Sequence, residues 1–212
     1  MIGERATQVH HRPWTSAHGT PRGALGPCVA PPRERAAYDP SVTDEDRTLP
    51  AALAEAHSLG FFEDHDGRDF QPDEAFEWSV ETTRWWHAWV GNPAARASPF
   101  RVFGRDGSGS VAAFWNRTPG VAIESEPIVF FGSEGEWDVI AQHLGDYPWL
   151  LANGAGPLET VDGIHRSPEP IPALVGLAQR HTGVSTRSVK AVTEAAYAEL
   201  PALTVLVESA TR

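Results

Sequence analysis

Three short apolar runs crowded into the middle of this chain limit its fold more than any other feature. Residues 100–103 read FRVF, residues 110–115 read SVAAFW and residues 127–131 read PIVFF, with Arg105-Asp106-Gly107-Ser108-Gly109 between the first two. Gly, Asp and Ser supply the geometry of a tight reversal, so the first two runs predict a β-hairpin. The third run has no polar alternation, as expected of an inner strand covered on both faces, and Gly132 to Glu136 then forms the loop leaving it. A short strand is also expected around Val139 to Ala141. Helical patterns lie before and after these strands instead of alternating with them. That order predicts an α+β layer fold, a curved antiparallel sheet flanked by helices, and excludes a Rossmann-like βαβ arrangement.

The flanking patterns are specific. Pro50 suits a first helical position, and the following AALAEAHSL sets Leu53 and His57 on one side, with Gly60 as the stop. In SVETTRWWHAWVGN, Thr82, Trp85, Trp86 and Trp89 recur at helical spacing, Ser79 can cap and Gly91 can terminate. HLGDYPWLLANG predicts a helix with Pro148 in its first turn, ending at Gly154. Ile171, Leu174, Val175 and Ala178 form one further stripe, and Val189, Val192 and Ala196 another, with Ser185 as the cap between them. Trp115 is expected in the core beside the inner strand.

Charge is distributed unevenly. The 212 residues carry a formal net charge of −11. Residues 1–38, rich in Pro, Gly, Arg and His, hold Arg5, Arg12, Arg22, Arg33 and Arg35 against Glu4 and Glu34. They show neither helical nor strand periodicity and read as a disordered arm ahead of one domain spanning 39–212. From Asp39 to Glu81, thirteen acidic residues face only Arg47 and Arg68. That balance disfavours phosphate backbones, whose binding depends on Lys and Arg. The single cysteine, Cys28, permits no internal disulfide. With no apolar run long enough to span a bilayer and no secretory signal, the chain reads as cytoplasmic.

No catalytic signature survives inspection. No serine has glycine two residues away on both sides, and the one lysine, Lys190, lies far from any glycine-rich loop. Asp64, Asp66, Gly67, Asp69, Asp73 and Glu74 resemble a calcium loop in composition. The register fails, because the first ligand would be Phe62 and the last Asp73. The histidines, among them His57, His87, His143 and His181, show no ligand pairing. Neither a metal nor another cofactor is expected, and the chain reads as non-enzymatic. A hydrolase working through acidic residues between Asp64 and Glu77 stands as a remote alternative. The tryptophans around 78–89 could stack on bases, but their acidic surroundings argue against nucleic acid.

Phe103-Gly104, Asp106-Gly107, Phe114-Trp115, the block from Pro127 through Gly132-Ser133-Glu134-Gly135-Glu136, and Leu150-Leu151-Ala152 before Gly154 occur in an order that resembles bacterial members of the SUKH superfamily, the Smi/Knr-type proteins. RWWHAWVGN is similar to that family's Trp-containing helix. The likeness spans roughly residues 50–203, and departs from the family in the N-terminal arm and in Arg105, where Gln is more usual. It implies a non-enzymatic α+β domain, an immunity protein that binds and neutralises a toxin of a contact-dependent or polymorphic system, a nuclease among the candidates. The family-motif residues are then chiefly structural. The alternative is a regulatory or scaffold module that binds an endogenous protein.

The residues themselves point to a basic protein partner. Asp64, Asp66, Asp69, Asp73, Glu74 and Glu77 are expected to form the contact face, since dense like charge is self-repulsive unless something uses it. Phe61, Phe62, Phe70 and Phe76 in the same segment are expected to supply aromatic anchors. Oligomeric state is open.

Overall fold

A computed structural model describes residues 45–59, 61, 70–164 and 168–212. The arm at 1–38, the start of the domain at 39–44, Gly60, and Phe62, Asp64, Asp66 and Asp69 lie outside the described residues. Five strands form one open antiparallel sheet in sequence order: β1 (Gln71–Pro72), β2 (Phe100–Arg105), β3 (Val111–Trp115), β4 (Ile128–Phe131) and β5 (Trp137–Ala141). The helices are α1 (Ala51–His57), α2 (Ser79–Val90), α3 (Tyr147–Ala152), α4 (Pro157–Asp162), α5 (Pro172–Thr182), α6 (Val189–Ala196) and α7 (Leu200–Ala210). The fold is α+β, with the hairpin, the inner strand and the strand at 139–141 where the sequence places them.

Side-chain alternation divides the sheet between two apolar layers. Phe103, Ala112, Phe114, Ile128, Phe130 and Ile140 pack with Leu53, Tyr147, Leu150, Leu151, Leu174 and Leu177 from α1, α3 and α5. On the opposite face, Phe100, Val102, Val111, Ala113, Trp115, Val129 and Phe131 pack with Trp86 and Val90 of α2 and Leu203 and Val207 of α7. This explains the unbroken apolar run in β4: it is buried at every position. Trp115 is buried in the second layer, and its amide donates to Pro127 O at 2.7 Å. Val192 of α6 belongs to the first layer and Ala196 to the second, so α6 packs on β5 and wraps the sheet's last edge.

Several boundaries differ from expectation. Ser79 is the first residue of α2 and does not cap it, because the carboxylate of Glu45 takes that role, accepting from Ser79 N at 3.1 Å and Ser79 Oγ at 2.9 Å. An anion there also suits the positive end of the helix dipole. The cap of α6 is Ser188, whose Oγ accepts from Ala191 N at 3.2 Å, and Ser185 instead offers its carbonyl to Gln179. Gly91 and Gly154 adopt positive φ of 68° and 78° and end their helices as expected. The register of β2 against β3 shifts between Val102 and Gly104. At Gly104 a Cβ would meet Phe70 Cζ at 2.4 Å and Gln71 O at 2.8 Å, so only glycine lets β1 approach this closely. Gly104→Ala is expected to lower stability by about 1 to 3 kcal/mol, because backbone must move to relieve the overlap. Chemical denaturation of the two proteins side by side measures it.

Candidate functional site

The residues leading into β1 and out to α2 build an open groove of about 590 Å³, lined by Arg47, Asp73, Glu74, Ala75, Glu77, Trp78, Glu81 and Arg105. Backbone pairing sets its floor. Asp73 N donates to Phe103 O and Glu77 N to Val102 O, each at 2.9 Å, so the connection from β1 to α2 runs along β2. The segment 45–48 clips onto the same connection: Phe76 N donates to Arg47 O at 2.8 Å, and Arg47 Nε donates to Phe76 O at 2.5 Å. The Arg47 guanidinium lies 4.2 Å from the centre of the Trp78 ring, within cation–π range.

The groove's charges are partly spent. Arg105 pairs with Glu77, which also accepts from Thr82 Oγ1 at 3.0 Å, and Arg84 pairs with Glu81. Asp73 and Glu74 make no side-chain hydrogen bond or ion pair with a described residue. Half-burial pushes the Asp73 carboxyl above the usual carboxylate range; Glu77 adds to that rise, while Arg105 and Arg47 oppose it. A cation placed against Asp73 would therefore restore the solvation that burial removed. The arrangement can receive a guanidinium or ammonium group and offers it an aromatic face beside the carboxylates. Among the described residues, no group of three or more His, Cys, Asp or Glu side chains is placed to hold a metal ion.

Of the expected contact face, the structure brings Asp73, Glu74 and Glu77 together at this groove. The expected aromatic anchors are corrected: Phe61, Phe70 and Phe76 are 1 %, 6 % and 2 % exposed and belong to the first core layer. Phe76 stacks edge-on with Phe114 at 6.0 Å, and Phe70 with Phe103 at 6.4 Å. Asp73 and Glu74 thus lie on a segment whose flanking phenylalanines, Phe70 and Phe76, point inward. Sequence reasoning missed Arg47, Glu81 and Arg105 as groove residues; Arg105 stood out only as the position that departs from the family pattern, and Trp78 only among the tryptophans weighed for base stacking or a protein-binding face.

The family-motif residues are spread over the β2–β3 and β4–β5 hairpins. Phe103 and Phe114 are fully buried, and Gly107, Ser133 and Glu134 are exposed. Asp106 organises its turn, accepting from Ser108 N at 2.9 Å, Ser108 Oγ at 2.7 Å and Ser110 N at 2.9 Å. Ser133 ties the two turns together, its amide donating to Ser110 Oγ at 3.1 Å and its hydroxyl to Ser108 Oγ at 3.0 Å. Gly135, with φ of 92°, completes the second reversal, and Glu136 folds back over Gly132, leaving no room there for a Cβ. Elsewhere the buried carboxylate of Asp146 pairs with Arg187 and lies 3.9 Å from the exposed ring of His143. Among the described residues no helix is long and apolar enough to cross a membrane. No protein-family model, curated protein or solved structure matches the chain.

Proposed function

We propose that this chain is a cytoplasmic, non-enzymatic binding protein of the immunity type, which neutralises a toxin of a bacterial contact-dependent or polymorphic toxin system by seating a basic surface of that toxin in the groove beside β1. The observation that supports this reading is the pair of unspent carboxylates, Asp73 and Glu74, beside the arginine-stacked ring of Trp78. The resemblance to SUKH proteins supplies the toxin as the class of partner. The excess of negative charge between residues 39 and 81 would draw a cationic domain toward this end of the sheet, which raises encounter rates more than it raises final affinity.

The test uses the protein partner recovered by pull-down with this chain from its native cell. Asp73→Asn combined with Glu74→Gln is expected to slow association about tenfold at low ionic strength and to flatten its salt dependence, with dissociation changing less. Stopped-flow binding at 0.02 and 0.5 M salt reads both. An unchanged low-salt rate sinks the groove as the docking face. Binding that leaves the toxin fully active supports the regulatory or scaffold reading instead.

A further inference from the structure

We infer that α6 is a strap that opens on its own, hinged at Gly183 and latched at its entry by Arg187 on Asp146, and that its opening uncovers β5 while the rest of the fold stays closed. The inference concerns the free protein and does not depend on the toxin reading. Its first support is how little apolar surface holds the helix. Of its eight residues only Val192 and Ala196 are buried, whereas α5 buries Leu174, Leu177 and Ala178 and α7 buries Leu200, Leu203 and Val207. Lys190 pairs with Glu194 one turn on, and Thr193 Oγ1 donates to Val189 O, so these polar side chains satisfy partners within α6 instead of reaching the sheet. Elements with few buried apolar contacts open at a lower free energy than the core.

The anchoring on either side is the second support. After α6, Arg117 pairs with Glu199 and with the buried Glu126, and Asn92 Nδ2 donates to Ala210 O at 2.8 Å, so the turn at Tyr197–Glu199 and α7 are held independently. Before α6, Gly183 adopts a φ of 66° and residues 184–186 are exposed, tied only to α5 by Gln179 on Ser185 O and Thr182 on Val184 N. The chain is then caught at one residue. Asn153 Nδ2 donates to Arg187 O at 2.8 Å, and the Arg187 guanidinium pairs with Asp146. Asp146 and Asn153 flank α3, and Ser188, next in sequence, caps α6. Arg187 thus fixes the start of the strap against both ends of α3.

The latch has a direction with pH. The Asp146 side chain is 1 % exposed and its Oδ2 accepts no hydrogen bond from a described residue, so closing strips water from a carboxylate that regains only part of its bonds. The charged groups facing it are Arg187 and, 3.9 Å away, the ring of His143, with the backbone amide of Gln142 beside them. Burial outweighs all three and holds the carboxyl above the usual carboxylate range. Opening returns it to water, so the closed strap binds this proton more tightly than the open one, and acid tightens the strap. Protonation of His143 acts the same way by adding a cation beside the carboxylate. The added hold is complete below the ordinary Asp value of about 3.9 and is lost as pH rises through the raised one.

Native-state hydrogen exchange on the full-length protein reads the opening. Corrected for the intrinsic rate at each pH, the amides of residues 192–196 are expected to exchange together, at least about tenfold faster than those of β3 and of residues 203–207 in α7. Arg187→Met leaves Asp146 without its main cation and is expected to speed exchange at 192–196 about tenfold or more, while β3 keeps its protection. In the wild type, protection at 192–196 should rise about threefold or more from pH 7 to pH 4, and in Asp146→Asn this rise should vanish. Protection of β3 checks within each sample that the variant is folded, and the wild-type comparison of α6 with β3 stands without either variant. Exchange of α6 in step with β3 in the wild type overturns the strap. An unchanged pH profile in Asp146→Asn, or equal loss of protection in α6 and β3 of Arg187→Met, overturns the latch.

Discussion

Phe131→Ala is expected to cost about 3 to 5 kcal/mol, the range for truncating a large aromatic side chain in a close-packed core. Phe131 is fully buried at the end of β4, where it touches four other aromatic rings edge-on: Trp89 and Phe100 at 4.9 Å, Trp85 at 5.6 Å and Trp86 at 5.8 Å between centroids. Edge-to-face contacts of this kind add to the energy of area burial, and α2 cannot close the hole without lifting off β2. Trp89 Nε1 donates to Gly132 O at 2.9 Å, which pins the helix one residue beyond the deleted ring and resists relaxation. Urea unfolding followed by tryptophan fluorescence measures the loss. A cost below about 1 kcal/mol would mean the aromatic layer rearranges freely, contrary to the packing described.

Acid is expected to destabilise the protein through His57. Burial pushes its imidazole down to about 4, and the ring lies 5.7 Å from Phe103 and 6.1 Å from Tyr147. The unfolded chain takes up this proton near pH 6.5 while the folded one refuses it until about pH 4, so the contribution to stability is complete above pH 6.5 and falls away as pH drops through that window. Two and a half units correspond to about 3 kcal/mol. Carboxylates titrate over part of the same range, so the measurement is a comparison: the stability of His57→Leu minus that of the wild type, at pH 7.5 and at pH 4. The variant should gain about 3 kcal/mol on the wild type between the two conditions. Curves that stay parallel would falsify the assignment of the acid response to His57.

What the sequence revealed follows from which signals survive in a short element. The hairpin at 100–115 and the strand at 128–131 are long enough for apolar continuity and turn residues to agree, and both were legible. The two residues of β1 are too few to show alternation, and α4, six residues beginning at Pro157, completes too few turns to display a stripe. The last helix was not read although its stripe stays in phase: Leu200, Leu203 and Val207 continue the three- and four-residue spacing of Val189, Val192 and Ala196 across the 3-10 turn at Tyr197–Glu199. At the candidate site, acidic composition drew attention to residues 64–77 while concealing that Phe61, Phe70 and Phe76 are core residues. Trp78 and Arg47 come together only because segment 45–48 runs back beside the connection to α2, a contact between residues 31 positions apart that no local pattern announces.

The two ends of the sheet are finished differently, and that limits how copies of this chain can join by strand pairing. At β5 the helix α6 crosses from one apolar layer to the other and closes the edge. At β1 the edge strand is two residues long, and one of them, Pro72, has no amide proton to give. A sheet with both edges open can grow into a filament, because every added copy presents a fresh edge. A sheet with one edge closed can only pair head to head, after which nothing remains to extend. Strand-mediated assembly of the described fold is therefore expected to stop at two copies, and fibrous aggregation to require that α6 first leave its place.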